Sequence, residues 1–431
     1  MNLILKILII LFYFNFANAE INLKYYLNEA FKNNLKLKAE RKNYKSIKEN
    51  INISRSEFLP SISLSGDQSS TQSTNKTNQS GTSLKDSSLD TETKKISVDQ
   101  KVFQGFKGYN SFKKSELEVK QASFKLKQTE QQTILDTIAS YFDLIFKIKN
   151  LEFNTSNVNL FERQVESDSA RSQKGEITLT DLAQSESSLA GANAKLIKAQ
   201  TELLASEINF ERITRIKAPN LVNSNEKIKI DLPKTLQDAL DIAKKSNSDL
   251  IISKIDYEIA TKELNIEKAR LSPSATLNYS KTENKDFSST LDELDEETVK
   301  ATITWPIIKG GENISSIKKS TLKKHRSLLL SEDTENKVVT DTTNAWSKYQ
   351  SSQSILLSTE AQLKAAEIAN EGITLEYDSG NTRSTLEVIQ SRSLLLESRI
   401  ENAKAERDYM ISQAELAFQL GILSLNIINP L

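Results

Sequence analysis

The chain of 431 residues contains one long segment twice. The copy that begins at Gly105 and the copy that begins at Gly310 share residues at equivalent positions. The offset along the chain from Gly105 to Gly310 also relates Asp136-Thr137 to Asp341-Thr342, Tyr141 to Trp346, and Gly175 to Gly380. A repeat this long indicates a duplicated structural unit and not a solenoid of short repeats. The duplication therefore restricts the fold to two halves built in the same order.

The N-terminal residues indicate export from the cytoplasm. Lys6 lies in a short basic start, the apolar run Ile7–Phe16 follows, and Ala17-Asn18-Ala19 fits a cleavage site. We therefore expect a signal peptide at 1–19. The apolar run is too short to span a membrane as a helix, and no later stretch has about 20 apolar residues. Because the chain has no cysteine, we expect neither disulfides nor a lipid anchor.

Each half begins with a predicted helix, Ile21–Glu57 in the first and Leu236–Arg270 in the second. Both ranges lack glycine and proline and are rich in helix-forming residues. Pro60 and Pro273 follow, and neither can continue a helix.

Short segments of alternating polar and apolar residues come next. They are Ser61–Ser65 and Lys95–Asp99 in the first half, and Ala275–Tyr279 and Val299–Ile303 in the second. A period of two gives a strand one apolar and one polar face. The polar stretches Gln68–Thr91 and Ser280–Glu297 separate the members of each pair. The pattern predicts two hairpins with long outer loops, and calcium binding by the acidic second loop is an open alternative.

Two very long helices follow the hairpins, at Lys107–Lys174 and Glu312–Ser379, and no proline interrupts them. At 1.5 Å per residue each would be about 100 Å long, so each needs partner helices to bury its apolar stripe. Gly175 and Gly380 are the predicted C-terminal caps. Each half then ends in a further predicted helix, at Thr180–Thr214 and Ser384–Leu420.

The predicted fold class is therefore mainly α with a small β contribution. After the signal peptide we expect a first repeat at 20–216, with its hairpin at about 61–103, and then a connector at 217–235. A second repeat should follow at 236–421, with its hairpin at about 274–306. The C-terminal tail would be 422–431.

Four strands are too few to close a barrel, and an open sheet edge in lipid is very costly. Alternating strands on an exported chain are typical of outer-membrane β-barrels. Three chains of four strands would supply 12, which lies within the range of such barrels. The sequence therefore predicts a barrel shared by three chains, with the helices projecting into the periplasm.

The order of elements, together with several local motifs, resembles the TolC-like outer-membrane efflux proteins over nearly all of the mature chain. The motifs are Glu376–Gly380 followed by Thr382–Gln390, Lys174-Gly175 followed by Thr180–Leu182, and Arg407–Tyr409 followed by Leu420–Leu423. The resemblance implies a homotrimer with a 12-stranded outer-membrane barrel, a periplasmic α-helical barrel, and an equatorial belt formed by Leu221–Pro233 and the C-terminal tail.

The resemblance also implies a function and partners. The chain would be a passive gated duct of a tripartite efflux pump or a type I secretion system, in the outer membrane of a Gram-negative bacterium. Its partners would be outer-membrane lipid, a periplasmic adaptor, and an inner-membrane ABC or proton-driven transporter.

Five residues match the family's gate and entrance. Tyr377 and Asp181 match a gating tyrosine and its acidic partner, and Arg383 matches a gating arginine one residue further from Gly380 than the pattern expects. Glu387 takes the place of a first acidic ring, and Gln390 stands uncharged at the second. Three inward carboxylates would attract cations. Opening would break the Asp181–Tyr377 contact and the contacts of Arg383. The alternative is that these are ordinary solvated residues at helix ends.

Other classes of protein fit the sequence less well. His325 is the only histidine and lies among basic residues, so the usual zinc sites and catalytic triads are not expected, and no cofactor is expected. Lys and Arg equal Asp and Glu at 57 each, which argues against a nucleic-acid partner. A periplasmic adaptor or an adhesin stalk would explain the helices and the export signal but not the duplicated hairpins.

Overall fold

A computed structural model of the chain describes residues 22–219, 226–288, 290–379, 383–426 and 429–430. The predicted signal peptide and Gly380 lie outside these residues. The chain forms two compact units. The first comprises the described residues of 1–41, 125–251 and 334–431, and the second comprises 42–124 and 252–333. Each unit contains segments of both halves of the sequence.

The two halves have the same helices in the same order. The first half contains α1 (Leu23–Asn33), α2 (Leu35–Ser56), α3 (Lys107–Gln173) and α4 (Leu179–Thr214). The second half contains α5 (Leu236–Ser246), α6 (Ser248–Ala269), α7 (Glu312–Asp378) and α8 (Thr385–Gln419). Helices α3 and α7 have 67 residues each, as the duplication predicts. No helix among the described residues combines the length and the apolar composition that a membrane crossing needs.

The single helix predicted at the start of each half is wrong, because each is two helices. At Asn34 the backbone leaves the helical region, with ψ 125°. Its Oδ1 accepts from the Leu37 amide at 3.1 Å, and its Nδ2 donates to the Ile213 carbonyl at 3.0 Å. An asparagine side chain can form hydrogen bonds with the backbone groups at a helix end. These bonds favour a break at the asparagine over a helix that continues through it. Asn247 interrupts the second half in the same way.

The strands are β1 (Ser61–Ser73), β2 (Ser87–Gln104), β3 (Ile228–Lys229), β4 (Ser274–Ser288), β5 (Leu291–Thr304) and β6 (Asn429–Pro430). Much of the predicted loops Gln68–Thr91 and Ser280–Glu297 is therefore strand, which corrects the predicted loop lengths. The polar segments pair because backbone hydrogen bonds do not depend on apolar side chains, and because unlike charges lie opposite each other. Lys285 pairs with Glu92 and Glu283 pairs with Lys94.

The second unit contains an antiparallel sheet in the order β1-β2-β4-β5. One row across its apolar face runs Ile62, Val98, Tyr279, Val299. Ile62 and Val299 are 73% and 71% exposed in the single chain. The adjacent row on the opposite face contains Ser63, Ser97 and Ser280. The predicted alternation is confirmed, and β1 and β5 form the outer edges of the sheet within the described chain.

An aromatic cluster forms much of the core of the first unit. The ring of Tyr26 lies 5.0 Å from that of Phe210 and 5.8 Å from that of Tyr141. Burial raises the pKa of Tyr26 to about 12. Glu226 accepts hydrogen bonds from the Tyr141 hydroxyl and, at 2.9 Å, from the Leu23 amide. These bonds attach the connector between the halves to the start of α1.

The connector and the C-terminal tail also meet. Strand β3 pairs with β6, with Lys229 opposite Asn429 and Ile228 opposite Pro430. These strands come from the two segments that, by the family resemblance, would form the equatorial belt.

Candidate gate at the helix turns

The predicted gate residues lie where α3 passes into α4 and α7 passes into α8, within the first unit. Gly175 ends α3 with a φ of +75°, a conformation that glycine adopts without strain. The Glu176 amide donates back to the Arg171 carbonyl at 2.9 Å, which closes the helix end. Gly380, the predicted cap of α7, is not among the described residues.

Asp181 stabilises the start of α4. Its Oδ2 accepts from the Thr178 amide at 3.0 Å and from the Thr178 hydroxyl at 2.7 Å. The Asp181 amide donates to Thr178 Oγ1 at 3.2 Å, which completes a capping box. The hydrogen bonds from Thr178 lower the pKa of Asp181. Asp181 is partly exposed, and its carboxylate is occupied by its own helix terminus.

Within the single chain, the structure shows no hydrogen bond between Asp181 and Tyr377. The buried Tyr377 hydroxyl donates instead to Asp168 Oδ1, at 3.0 Å. Thr385 Oγ1 lies 3.2 Å from the phenolic oxygen, and Gln164 Nε2 donates to that oxygen at 3.3 Å. Burial raises the pKa of Tyr377. The tyrosine therefore contacts α3 and α8 but not the terminus of α4.

Asp168 is the centre of this network. Its exposure is 0%, and it accepts hydrogen bonds through both carboxylate oxygens. The Ser185 hydroxyl donates to Oδ2 at 2.5 Å, and Gln164 Nε2 donates to Oδ1 at 2.9 Å. Together with Tyr377, these donors come from α3, α4 and α7.

Two arginines surround the network. The guanidinium of Arg171 lies over the Tyr377 ring, 4.9 Å from its centroid, where a cation is attracted by the π electrons. Arg392 on α8 donates to Gln164 Oε1 at 3.0 Å. Burial lowers the pKa of Arg392. The cluster thus holds a buried carboxylate near two cationic side chains.

Arg383 links the end of α7 to the start of α8. Its Nε donates to Glu376 Oε2 at 2.6 Å, and its NH1 donates to Glu387 Oε1 at 2.8 Å. Both carboxylates raise the pKa of Arg383. All three side chains are substantially exposed.

Glu387 also completes the capping box at the start of α8, where Ser384 is the N-cap residue. Its Oε2 accepts from the Ser384 amide at 2.8 Å and from the Ser384 hydroxyl at 3.0 Å. The Ser384 amide, together with Arg383, lowers the pKa of Glu387. Gln390 is exposed one turn further along α8. The two entrance candidates therefore comprise one carboxylate that is paired with Arg383 and one neutral amide.

The sequence analysis missed Gln164, Asp168, Ser185, Thr385 and Arg392. A signal for two of them does exist in α3. Gln164 and Asp168 continue the buried stripe of Val158 and Phe161 at helical spacing. Polar residues on a stripe that is otherwise apolar indicate a buried hydrogen-bond network. The sequence did not show which distant side chains would complete it.

The second unit carries an apolar surface that suits lipid contact. Trp305, Ile307 and Ile308 follow β5 and are highly exposed, and Trp305 Nε1 donates to the Leu271 carbonyl at 3.1 Å. Phe103 and the exposed Phe106 make an edge-to-face contact, with ring centroids 5.8 Å apart. Such aromatic girdles flank the apolar band of outer-membrane barrels. No group of three or more metal-ligating side chains is arranged for an ion in the part of the chain that the structure describes.

The chain matches the model of one protein family, described as outer membrane efflux protein, at residues 26–214 and 239–422. The two matched segments correspond to the two halves of the duplication.

Characterised relatives match over most of their lengths. The chain is 23% identical over 397 residues to the outer membrane efflux protein BepC of Brucella suis, an alignment that covers 92% of this chain and 84% of BepC. It is also 23% identical over 414 residues to the outer membrane protein TolC of Vibrio cholerae, covering 94% and 91% of the two chains.

Solved structures share the fold at lower identity. The CmeC outer membrane channel of Campylobacter jejuni superimposes with a TM-score of 0.81 at 16% identity, covering 93% of this chain and 85% of CmeC. The MtrE outer membrane channel of Neisseria gonorrhoeae, solved in its open state, gives 0.76 at 14% identity, covering 93% and 89%. The chain therefore belongs to the outer membrane efflux protein family and is an outer-membrane efflux channel, not an enzyme.

Proposed function

We propose that the chain is the passive duct of a tripartite export system, gated at the α3–α4 and α7–α8 turns. Membership of the family implies a trimer and pump partners in general. The partners that we propose are a periplasmic adaptor and an inner-membrane ABC or proton-driven transporter, in an efflux pump or a type I secretion system. Energy would come from the transporter, because the family to which this chain belongs consists of channels and not of enzymes.

The observation that carries the gate is the side-chain bridge at Arg383. This residue holds the end of α7 to the start of α8 through Glu376 and Glu387. The α7–α8 turn would have to change its conformation for cargo to pass, and the bridge opposes that change.

The energetics suit a gate that partners can open. Exposed ion pairs stabilise a structure only weakly, and a single one would barely bias the channel. Threefold symmetry would repeat each contact, so the sum would keep the isolated channel mostly closed. Binding of an adaptor that favours the open state could then shift the population.

The experiment compares Tyr377→Phe combined with Arg383→Ser against the unaltered channel. We expect a higher conductance in planar bilayers and a greater sensitivity of cells to large antibiotics. The matched control is Arg399→Ser, because Arg399 also joins α8 to α7, through Glu367 at 3.4 Å, but lies away from the turns. The gate is refuted if the double variant conducts like the unaltered channel, or if the control conducts as much as the double variant.

The proposal also predicts the charge of the channel entrance and its preference among ions. In a trimer the three copies of Glu387 would form a ring of carboxylates, each paired with an Arg383 of its own chain. Gln390 adds no charge to a second ring. We therefore propose an entrance whose preference for cations is weak and depends on whether Arg383 stays bound to Glu387.

A further inference from the structure

We propose that a hydrogen bond from Tyr377 to Asp168, and not a contact with Asp181, holds the channel closed. This Tyr377–Asp168 bond is called the latch below. The inference rests on the proposed gate and deepens it by naming the partner of the gating tyrosine. It assigns the closing contact to a buried carboxylate within α3 and not to the partly exposed one at the start of α4.

The first argument is geometric. The Tyr377 hydroxyl lies 3.0 Å from Asp168 Oδ1, whereas Asp181 uses its carboxylate on Thr178. Asp168 also accepts from Ser185, and the phenolic oxygen lies within hydrogen-bond distance of Thr385. One connected network therefore joins α3, α4, α7 and α8.

The second argument is burial. Asp168 is fully enclosed, and it makes no ion pair within the described ranges. Its charge is stabilised by the hydroxyl and amide groups that point at it. A buried carboxylate depends strongly on each donor, because no water can replace a lost one. A hydrogen bond to Asp168 is therefore stronger than one to the partly exposed Asp181.

The third argument concerns movement. Asp168 and Ser185 lie on α3 and α4, whereas Tyr377 and Thr385 lie on α7 and α8. Any displacement of the α7–α8 pair from the α3–α4 pair must break the Tyr377–Asp168 bond. It would also strip Asp168 of one of its three donors. The latch thus resists separation of the two helix pairs, and the Arg383 bridge acts within the α7–α8 pair.

The test measures the open probability of purified channels in planar bilayers for Asp168→Asn, Tyr377→Phe, and both together. Each single change should raise the open probability at least about tenfold, because a hydrogen bond to a charged group is lost or weakened in each of the three subunits. The double change should add little beyond the larger single effect, since Tyr377→Phe removes the bond that Asp168→Asn weakens by taking away the charge of its acceptor. The matched control, Asp181→Asn, should stay within about twofold of the unaltered channel.

Several outcomes separate the latch from the gate. If Tyr377→Phe opens the channel and Asp168→Asn does not, the latch is refuted and the gate stands. The latch also fails if the effects of the two changes multiply, or if Asp181→Asn opens the channel in their place. If Tyr377→Phe combined with Arg383→Ser leaves conductance unchanged, the gate fails and the latch fails with it.

A further variant guards against misassembly. Should Asp168→Asn fail to yield trimers, Ser185→Ala removes one donor and leaves the carboxylate in place. It should raise the open probability several-fold, because the loss of a donor weakens the site that holds Tyr377. A Ser185→Ala channel that conducts like the unaltered one would overturn the proposal.

Discussion

Asn34 and Asn247 occupy equivalent breaks in the two halves, and each side chain ties its break to the end of a helix far along the chain. Asn34 Nδ2 donates to the Ile213 carbonyl at 3.0 Å, and Asn247 Nδ2 donates to the Gln419 carbonyl at 2.8 Å. Each Oδ1 also accepts an amide of the following helix at 3.1 Å. The duplication thus preserved a capping device together with its tertiary partner.

We predict that Asn34→Ala and Asn247→Ala each destabilise the protein by about 1–3 kcal/mol, because each removes a cap and leaves a carbonyl unpaired. The measurement is the thermal loss of the helical circular dichroism signal in detergent. Asn52→Ala is the control, since Asn52 bonds only the nearby Glu49 on an exposed face. Equal losses of thermal stability in all three variants would contradict the prediction that the asparagines at the helix breaks contribute more than an exposed asparagine.

Glycine substitutions should have opposite effects at two positions. Gly421 has a φ of +72°, and a Cβ there would lie 2.1 Å from the Ser246 carbonyl oxygen, so Gly421→Ala should cost about 3 kcal/mol or more. Gly372 lies inside α7 with nothing within 4 Å of an added Cβ, so Gly372→Ala should stabilise by about 1 kcal/mol. The same thermal assay measures both changes in stability. A Gly421→Ala variant as stable as the unaltered protein would contradict the close approach of Gly421 to the Ser246 carbonyl oxygen.

The contribution of the Arg383–Glu387 contact should depend on pH in one direction only. The pKa of Glu387 is lowered in the folded chain, so the stabilisation is present above the ordinary glutamate pKa of about 4.3 and is lost as the pH falls through the lowered value. We predict a constant open probability from about pH 8 to pH 5 and an increase only in stronger acid. Glu387→Gln should reduce the acid-dependent increase, and the part that remains would come from the other carboxylates of the site, Glu376 and Asp168. An opening transition near neutral pH that Glu387→Gln abolishes would contradict this reading.

The charge at the entrance can be altered at Gln390. Gln390→Glu should add a second ring of carboxylates, shift the reversal potential in a salt gradient toward that of the cation, and strengthen block by multivalent cations. Gln390→Asn should leave both properties unchanged. If Gln390→Glu has no effect on selectivity, the residue does not face the path of the ions.

Sequence patterns predicted the long helices well. The bounds of α3 and α7 lie within one residue of those expected, because no proline interrupts either range. The apolar face of the strands was also predicted, since alternation needs only local spacing. These features are determined by residues that are near neighbours in the chain.

The errors have a common physical origin in contacts between distant residues. The break at Asn34 depends on an acceptor at Ile213, and no local signal names it. The strands extend through polar segments because the partner strand supplies backbone bonds and opposite charges. Resemblance to a family suggested Asp181 as the partner of Tyr377, and the hydrogen bond of Tyr377 to Asp168 is recognisable only once α3 and α7 lie side by side.

The most direct test of the whole account is the native mass of the mature protein extracted from outer membranes in mild detergent. Each chain supplies a four-stranded sheet with two free edges, so the account predicts particles of three subunits whose edges are closed by neighbouring chains. A mass corresponding to a single subunit would contradict the shared barrel and, with it, the channel and its gate.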